Sequence, residues 1–301
     1  MKLDSSVFDL DLDKTLPALD SFIAKKLTQL GRHGIVVPLS GGLDSSTAAA
    51  LCVRSVGTDK VTALLLPDKK GSKDAVKFAN ILTRKLGIKT VSINTTRVNR
   101  AAGVYNFIIN KIPAKKLIAR FVRQRLKNDD GEFFKAGIAG TDDMMTRKAL
   151  ASIYAKQRLR MVVTCHYADL NRLMVVGSAH KSEDLLGLFV KFGVDDMADL
   201  MPLKNFFRTQ VLMIARKIGV PEEILRRTPN PEMIPGVEDK YNDVLHVSSA
   251  NIDLILWGIE NGINDEDIAT AVRLPVSKIT QLRELVHLSA HMRAPSQFPV
   301  L

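Results

Sequence analysis

The residues best suited to chemistry lie in one short run, Ser40-Gly41-Gly42-Leu43-Asp44-Ser45-Ser46, between an apolar segment and an alanine-rich one. Two glycines without Cβ atoms let backbone amides approach an anion closely, and three serine hydroxyls add hydrogen-bond donors. The alanine-rich segment predicts a helix whose positive N-terminal end points at the same place. The run therefore predicts a cradle for the phosphates of a nucleotide.

Two other phosphate-binding patterns are absent from the sequence. It contains neither a Gly-x-x-x-x-Gly-Lys-Ser/Thr run nor a Gly-x-Gly-x-x-Gly run, which argues against kinase-like phosphoryl transfer and against hydride transfer with a dinucleotide. A glycine-rich strand-to-helix turn that binds nothing would explain Gly41 and Gly42. It would leave the adjoining serines and Asp44 unexplained.

Alternating strand and helix patterns surround this loop. Strands are predicted at 34–39, 61–66, 88–93 and 173–177, and helices at 15–30, 45–56, 73–86 and 207–218. Such alternation predicts an α/β fold, namely a doubly wound, mainly parallel sheet with helices on both faces. Because ligands bind outside the carboxyl ends of parallel strands, the loop after Leu39 and the residues after Gly177 should face one another.

The remaining segments predict helices and one connector. Residues 97–160 are helical and basic, residues 228–239 are rich in proline and acid, and residues 248–290 are helical again. We expect an α/β domain over 1–245 with a helical insertion at about 97–157. A helical C-terminal extension over 246–301 should pack on the same domain. The composition and position of the insertion suggest, as a hypothesis, that part of it closes over the reactants.

The composition narrows the class of protein. The 301 residues are 46% hydrophobic and carry a formal charge of +11, which calls for an anionic partner, and the lack of a basic tail or aromatic-interleaved motif argues against nucleic acid. Cys52 and Cys165 are expected to be reduced core thiols. No apolar run approaches the ~20 residues that span a bilayer, and the N-terminus does not resemble a signal peptide. We therefore expect a cytoplasmic protein without a membrane partner.

The loop and four further blocks resemble a known family. The 40–46 run is similar to the loop of the N-type ATP pyrophosphatase superfamily, whose members have an adenine nucleotide alpha hydrolase-like fold and cleave ATP between its α- and β-phosphates. Within it, the chain resembles ammonia-dependent NAD synthetase, except over roughly 97–154. The blocks are Gln157-Arg158-Leu159-Arg160-Met161, residues 171–183, Ala198-Asp199-Leu200-Met201-Pro202-Leu203 and Ser289-Ala290-His291-Met292-Arg293. Residues 187–193, between the second and third blocks, also follow the order of the family.

The resemblance implies an activity. It implies a carbon–nitrogen ligase that amidates nicotinic acid adenine dinucleotide (deamido-NAD) to NAD through an adenylated carboxylate, with release of AMP and pyrophosphate. ATP is the implied co-substrate, Mg²⁺ the implied metal ion, and a homodimer the implied assembly. Because the length leaves no room for a glutaminase domain, the expected nitrogen source is free ammonia or ammonia from a separate glutaminase.

The resemblance also implies roles for individual residues. Asp44 and Glu183 are implied Mg²⁺ ligands, since hard carboxylate oxygens suit that ion, and no side-chain nucleophile is needed. The implied ATP-binding residues are Ser40, Gly41, Gly42, Leu43, Asp44, Ser45, Ser46, Ser178, Arg208 and Asn230. The implied substrate-binding residues are Arg158, Lys191, Asp199 and His291, with Lys191 and Asp199 reaching the substrate from a neighbouring subunit.

Some positions depart from the family pattern and keep alternatives open. Tyr154, Ala179, Asn230 and Met292 differ from the residues usual in the family, at positions expected to border the nucleotide or the second substrate. One alternative is a related ATP-pyrophosphatase ligase that amidates or thiolates a different substrate. Another is a non-catalytic nucleotide-binding homologue, against which the two metal-type carboxylates argue. Arg160 could equally contact a ligand or lie on a solvated helix face.

Overall fold

The computed structural model describes residues 3–106, 115–127, 129, 131–194, 196–231 and 234–295. Its centre is a four-stranded parallel sheet with the strand order β3-β2-β1-β4. The strands are β1 Gly34–Pro38, β2 Val61–Leu65, β3 Lys89–Ser92 and β4 Leu173–Val175. Each predicted strand is present, one or two residues shorter than its sequence pattern, and the predicted parallel arrangement is confirmed.

Helices account for most of the remaining described residues. In chain order they are α1 Leu12–Gln29, α2 Leu43–Val56, α3 Lys73–Leu86, α4 Thr96–Ala101, α5 Lys115–Leu126, α6 Glu132–Ala139, α7 Met144–Asn171, α8 Lys181–Leu186, α9 Arg208–Lys217, α10 Glu222–Leu225, α11 Asn242–Leu245, α12 Ser249–Glu260, α13 Asp265–Val272, α14 Val276–Leu288 and α15 Ala290–Arg293. Two short 3₁₀ turns occur at Ser5–Phe8 and Thr58–Lys60. Within the described ranges, no helix is both long and apolar enough to cross a membrane.

The two faces of the sheet carry different helices. Ile35 and Val37 of β1 are fully buried in one apolar cluster with residues of α1, α2, α3 and α9. Val36, between them, is buried in a second cluster with Met161 and Ala168 of α7. This division follows from strand geometry, since successive side chains point to opposite faces of a sheet. The prediction of helices on both faces is therefore confirmed.

The C-terminal helices share a core with the α/β part. Side chains of α12, α13 and α14 form one apolar cluster that also contains Phe8, Leu186 and Phe207. The rings of Phe8 and Phe207 meet edge to face with centroids 5.3 Å apart, a favoured aromatic geometry. This shared core supports our proposal that the extension predicted at 246–301 belongs to the α/β domain and does not form a separate one. Residues 296–301 of that extension lie outside the described residues.

The insertion is helical where the structure describes it. It contains α4, α5, α6 and the N-terminal half of α7, and the hydroxyl of Tyr154 in α7 donates a 2.7 Å hydrogen bond to the carbonyl oxygen of Gly137 in α6. Because α7 then continues along the sheet, this long helix joins the insertion to the core. The segment suggested as a lid, 97–143, includes residues 107–114, 128 and 130, which lie outside the described residues.

Candidate active site

A cleft of about 230 Å³ opens at the carboxyl ends of β1, β2 and β4. The loop after β1, the residues after β2 and the residues after β4 form its walls, together with part of α7, the N-terminus of α9 and the 227–231 loop. The predicted phosphate loop and the residues after Gly177 thus line the same cavity. A site at this edge is what the topology of a parallel sheet favours.

Gly41 determines the path of the phosphate loop. Its φ of +73° lies in the left-handed region that favours glycine. A Cβ atom at this position would lie 2.6 Å from the carbonyl oxygen of Ala75 and 2.6 Å from the backbone nitrogen of Ala79, both in α3. The loop can therefore turn tightly against α3 only because residue 41 has no side chain.

The serine hydroxyls of the loop bond to one another. Oγ of Ser40 lies 3.0 Å from Oγ of Ser45 and accepts a 3.2 Å hydrogen bond from the backbone N–H of Gly42. Gly42 is also the N-cap of α2 and provides no side-chain cap, so the first-turn N–H groups of the helix are available to an anion. The arrangement suits oxygens of a pyrophosphate group.

Arg227, which is distant from the phosphate loop in the sequence, contacts the loop directly. Its Nη1 donates a 2.6 Å hydrogen bond to the carbonyl oxygen of Gly41, and its guanidinium lies 4.4 Å from the ring centroid of Phe78. The stacked and bonded geometry is one that arginine, and not lysine, makes well. Arg227 also lines the cleft.

Three metal-ligand side chains converge beside the loop: Asp44, His180 and Glu183 each have a donor atom within 4.8 Å of the other two. Nε2 of His180 lies 3.9 Å from Oδ1 of Asp44 and 3.7 Å from Oε2 of Glu183. These separations are longer than hydrogen bonds, but two metal–ligand bonds of about 2.1 Å can span them. The three residues therefore fit a divalent cation.

Two basic side chains neutralise the carboxylates of this cluster. Nζ of Lys240 bonds to Oε1 of Glu183, and Nη1 of Arg208 lies 3.4 Å from Oδ1 of Asp44. Burial raises the pKa of Asp44, but His180, Arg208 and Lys240 together hold it below its usual value. Burial lowers the pKa of Lys240 to about 8, against the attraction of Asp44, and it lowers the pKa of His180 to about 3.

A buried carboxylate behind the site fixes two of these residues. Oδ2 of Asp253 in α12 accepts hydrogen bonds from the backbone N–H (2.7 Å) and the hydroxyl (2.6 Å) of Thr209, and its Oδ1 accepts one from the Ser182 hydroxyl. Ser182 precedes Glu183, and Thr209 follows Arg208. The first turns of α8 and α9 are thereby held at a defined separation.

Eight of the ten predicted ATP-binding residues line the cleft: Ser40, Gly42, Leu43, Asp44, Ser45, Ser178, Arg208 and Asn230. Gly41 packs behind the loop against α3. Ser46 is fully buried, and its hydroxyl has no hydrogen-bond partner in the described part of the chain. Arg160, which the sequence left open, lines the cleft, and its Nη1 donates a 3.3 Å hydrogen bond to Oε1 of Gln157.

Three of the four predicted substrate-binding residues form a cluster outside the cleft lining. Nε of Arg158 donates a 3.1 Å hydrogen bond to the carbonyl oxygen of Lys191, and Nζ of Lys191 donates a 2.9 Å hydrogen bond to the carbonyl oxygen of His291. Asp199 lies elsewhere, where its Oδ2 accepts a 2.8 Å hydrogen bond from the backbone N–H of Val175. Within the described chain, Arg158, Lys191 and His291 are brought together and Asp199 is not.

The positions that depart from the family pattern differ in their surroundings. Asn230 lines the cleft. Tyr154 bonds to Gly137 within the insertion, whereas Ala179 and Met292 are buried. Of the four, Asn230 is therefore the one placed to contact a nucleotide in this cleft directly.

The comparisons with known proteins agree with the geometry of the cleft. A family model described as NAD synthase matches residues 15–146 and 113–296. The chain belongs to the NAD synthase family. The resemblance inferred from the motifs is thereby confirmed, and the match includes both the phosphate loop and the C-terminal helices.

Individual relatives show how far the similarity to this family extends. A protein named NH(3)-dependent NAD(+) synthetase from Thermotoga maritima is 33% identical over 270 residues, which cover 89% of this chain and 94% of that protein. Two solved structures match 97% of this chain and 100% of their own. They are NMN synthetase from Francisella tularensis, with a TM-score of 0.70 and 22% identity, and NH3-dependent NAD synthetase from Campylobacter jejuni, with a TM-score of 0.68 and 21% identity. At such identities the solved structures establish the shared fold.

Sequence reasoning missed four residues of this NAD synthase site. The sequence patterns predict no role for His180, Arg227, Lys240 or Asp253, although His180 lies inside the 171–183 block. The available signal was the spacing of His180 and Glu183, since residues three apart at a helix start share a face. Arg227, Lys240 and Asp253 carry no comparable local signal, because each reaches the site from a distant segment.

Proposed function

We propose that this NAD synthase family member converts nicotinic acid adenine dinucleotide to NAD, with ATP as co-substrate and ammonia as the nitrogen donor. The observation that carries the proposal is the cleft in which the phosphate loop, the Asp44–His180–Glu183 cluster and the basic side chains of Arg208 and Arg227 meet. Relatives of this chain are named NH(3)-dependent NAD(+) synthetase, and this name describes the proposed reaction. Family membership favours ATP as co-substrate, and the cleft has the groups to hold its phosphates.

The first half-reaction is adenylation of the substrate carboxylate. A carboxylate oxygen attacks the α-phosphorus of ATP, the bond between the α- and β-phosphates breaks, and pyrophosphate leaves with the electron pair. The N–H groups at the start of α2, the hydroxyls of Ser40 and Ser45 and the guanidinium of Arg208 would bind the departing oxygens. Preorganised donors of this kind stabilise charge that builds up in a transition state.

Metal binding belongs to the same proposal. Asp44 and Glu183 would hold a divalent cation, with Mg²⁺ as the family's implied ion. Such an ion, when bound, neutralises charge on the phosphates. In the second half-reaction ammonia attacks the acyl carbon, the bond from that carbon to AMP breaks with its electron pair on AMP, and the nitrogen loses a proton to water, so the amide forms without a covalent bond to the protein. The side chains of this cleft orient the reactants and exclude water from the adenylate.

The second substrate would bind near Arg158 and His291 of one subunit, whose basic groups suit a dinucleotide phosphate. A homodimer in which Lys191 and Asp199 act across the interface is part of this proposal. Coexpression of Arg158→Ala and Lys191→Met subunits tests it. Mixed dimers regain one intact site only if the two residues serve one substrate from different subunits, whereas a site built by one subunit stays inactive in the mixture.

The test of the activity is formation of NAD and AMP from ATP, deamido-NAD and either ammonium or glutamine. We expect NAD to form with ammonium and not with glutamine alone. Asp44→Asn should lose at least about 100-fold in kcat/KM, because the loss of one group that stabilises a transition state typically has an effect of this size. Asp59→Asn, an exposed position outside the cleft, is the matched control. AMP release without NAD would indicate a ligase for another carboxylate, and nicotinic acid mononucleotide is the first to try. No ATP turnover would indicate a nucleotide-binding homologue.

A further inference from the structure

His180 is a buried imidazole without a bonding partner. It is fully buried, and neither ring nitrogen has a hydrogen-bond partner among the residues that the structure describes. Leaving a buried polar group unsatisfied costs about 1–3 kcal/mol. A neutral imidazole has a lone pair on one ring nitrogen, which can bind a metal ion. An unsatisfied imidazole beside Asp44 and Glu183, which line the cleft, calls for a ligand.

The imidazole faces the two carboxylates assigned to the metal ion. His180 is the N-cap of α8 and Glu183 lies in its first turn, so the two side chains emerge on the same side. Asp44 approaches Nε2 from the first turn of α2. Because the Nε2–oxygen separations of 3.9 and 3.7 Å are too long for hydrogen bonds, the imidazole bonds to neither carboxylate, although a donor atom of each group lies within 4.8 Å of the other two.

We infer that His180 is a third protein ligand of the divalent cation and that its nitrogen shifts the site from Mg²⁺ towards first-row transition-metal dications, of which Mn²⁺ is the natural probe. Mg²⁺ favours oxygen ligands, whereas imidazole favours transition metals. The inference rests on the proposed metal role of Asp44 and Glu183, and it specifies which class of ion that site takes.

The charges around the cluster predict that the ion and the nucleotide bind together. Without an ion, the charges of Asp44 and Glu183 are balanced by those of Arg208 and Lys240. A dication adds an excess of two positive charges at the base of the phosphate cleft, and nucleotide phosphates supply the opposite charge. Binding of the ion should therefore be measured in the presence of a nucleotide that the enzyme cannot cleave.

Pulsed electron paramagnetic resonance tests the inference directly. Full-length, untagged protein is loaded with Mn²⁺ and α,β-methylene-ATP, once unlabelled and once with ¹⁵N-histidine. We expect ¹⁴N modulation of the Mn²⁺ signal that is replaced by ¹⁵N modulation on histidine labelling, which excludes nitrogen from adenine or the backbone. Its absence in the wild-type protein overturns the inference without any need for a variant.

Two variants identify the histidine whose nitrogen couples to Mn²⁺. His180→Asn should abolish the histidine coupling, whereas His287→Asn, an exposed position on α14, should retain it. Persistence of the coupling in His180→Asn overturns the assignment. The Kd of Mn²⁺ should rise at least about tenfold in His180→Asn, since even the loss of an outer-shell partner costs that much. The Kd of Mg²⁺ should change less, so the preference of the site for Mn²⁺ over Mg²⁺ should be smaller in His180→Asn than in the wild type.

NAD formation, assayed separately with Mg²⁺, separates the two proposals. Histidine coupling without NAD formation would support the ligand inference and overturn the proposed activity. NAD formation without histidine coupling would overturn the ligand inference alone. Failure of Mn²⁺ to bind at all would overturn the ligand inference together with the metal role of the carboxylates.

Discussion

The hydroxyl of Ser182 donates a 2.5 Å hydrogen bond to Oδ1 of Asp253, although the two residues are 71 positions apart in the chain. Asp253 is buried and also accepts two hydrogen bonds from Thr209. Ser182 in turn accepts a 3.0 Å hydrogen bond from the backbone N–H of Arg208. A residue of the C-terminal helices therefore sets the spacing of the helices that carry Glu183 and Arg208.

Asp253→Asn should impair both stability and nucleotide binding. The amide presents an NH₂ group where the carboxylate accepts hydrogen bonds, so at least one buried donor loses its partner at a cost of about 1–3 kcal/mol. We expect the free energy of unfolding in urea to fall by that amount and the KM for ATP to rise. Asp59→Asn, on an exposed turn, should change neither quantity. Unaltered values in Asp253→Asn would show that the positioning role is incorrect.

The phosphate loop provides a second prediction, which concerns Gly41. Gly41→Ala places a methyl group 2.6 Å from backbone atoms of α3 and also strains the left-handed conformation. Gly87→Ala is a matched control, because Gly87 has a φ of +66° but a Cβ atom there would meet nothing within 4 Å. The control should lose about 1 kcal/mol of stability and keep ATP binding. Gly41→Ala should lose ATP binding by calorimetry, and equal behaviour of the two variants would contradict this explanation.

The parts of the fold that the sequence predicted correctly are those with local causes. The strand at 61–66 and the helix at 73–86 are visible as apolar periodicity, and the tight turn at Gly41 as a pair of glycines. Parallel topology then fixes which loops share an edge, so the cleft itself was also predictable.

The parts that the sequence did not reveal depend on contacts between distant segments. Lys240 reaches Glu183 across 57 positions, and Arg227 reaches Gly41 across 186. Composition predicts that the 228–239 segment is a loop, but not which side chains beside it enter the cleft. His180 was hidden for a different reason: a buried histidine is often an ordinary core residue, and its unsatisfied nitrogens are visible only in three dimensions.

The geometry of Arg227 predicts a requirement for arginine at that position. Arg227→Lys keeps the charge but loses the contact of the guanidinium with the Phe78 ring and its hydrogen bond to Gly41. Because hydrogen bonds to charged groups contribute about 1.5–3 kcal/mol, the KM for ATP should rise by roughly tenfold or more. Arg226→Lys is the matched control, since Arg226 pairs with Glu222 on the surface. A KM in Arg227→Lys equal to that of the control would refute the bracing role.

Asp68 should contribute to the acid sensitivity of the fold. Its Oδ2 lies 2.6 Å from Nζ of Lys156 in α7, in a buried pair. Burial raises the pKa of Asp68, but Lys156, the backbone N–H of Lys70 and Arg160 together hold the pKa below its usual value. Since the carboxyl binds a proton less readily in the folded state, its contribution to stability is full above the ordinary value of 3.8 and is lost as the pH falls through the folded value.

Urea unfolding from pH 7 to pH 3 measures this contribution. The wild-type free energy of unfolding should decrease towards the acid end. Asp68→Asn should be less stable at pH 7 by roughly 1–3 kcal/mol and should show a smaller decrease below pH 4. Asp59→Asn, at an exposed position on the Thr58–Lys60 turn, should retain the wild-type slope through the acid range. A slope in Asp68→Asn as steep as that of the wild type would assign the acid sensitivity to other groups.

Lys240 should compete with the divalent cation for Glu183. Its ammonium bonds to that carboxylate in a buried position, and two like charges about 4 Å apart in a protein repel by several kcal/mol. Lys240→Met should therefore tighten Mn²⁺ binding without nucleotide by at least roughly tenfold, while ATP binding weakens because a cleft cation is lost. Lys204→Met, whose partner Asp184 lies outside the cleft lining, should change neither constant. If Lys240→Met instead weakens Mn²⁺ binding, the ammonium organises the carboxylates and does not compete for them.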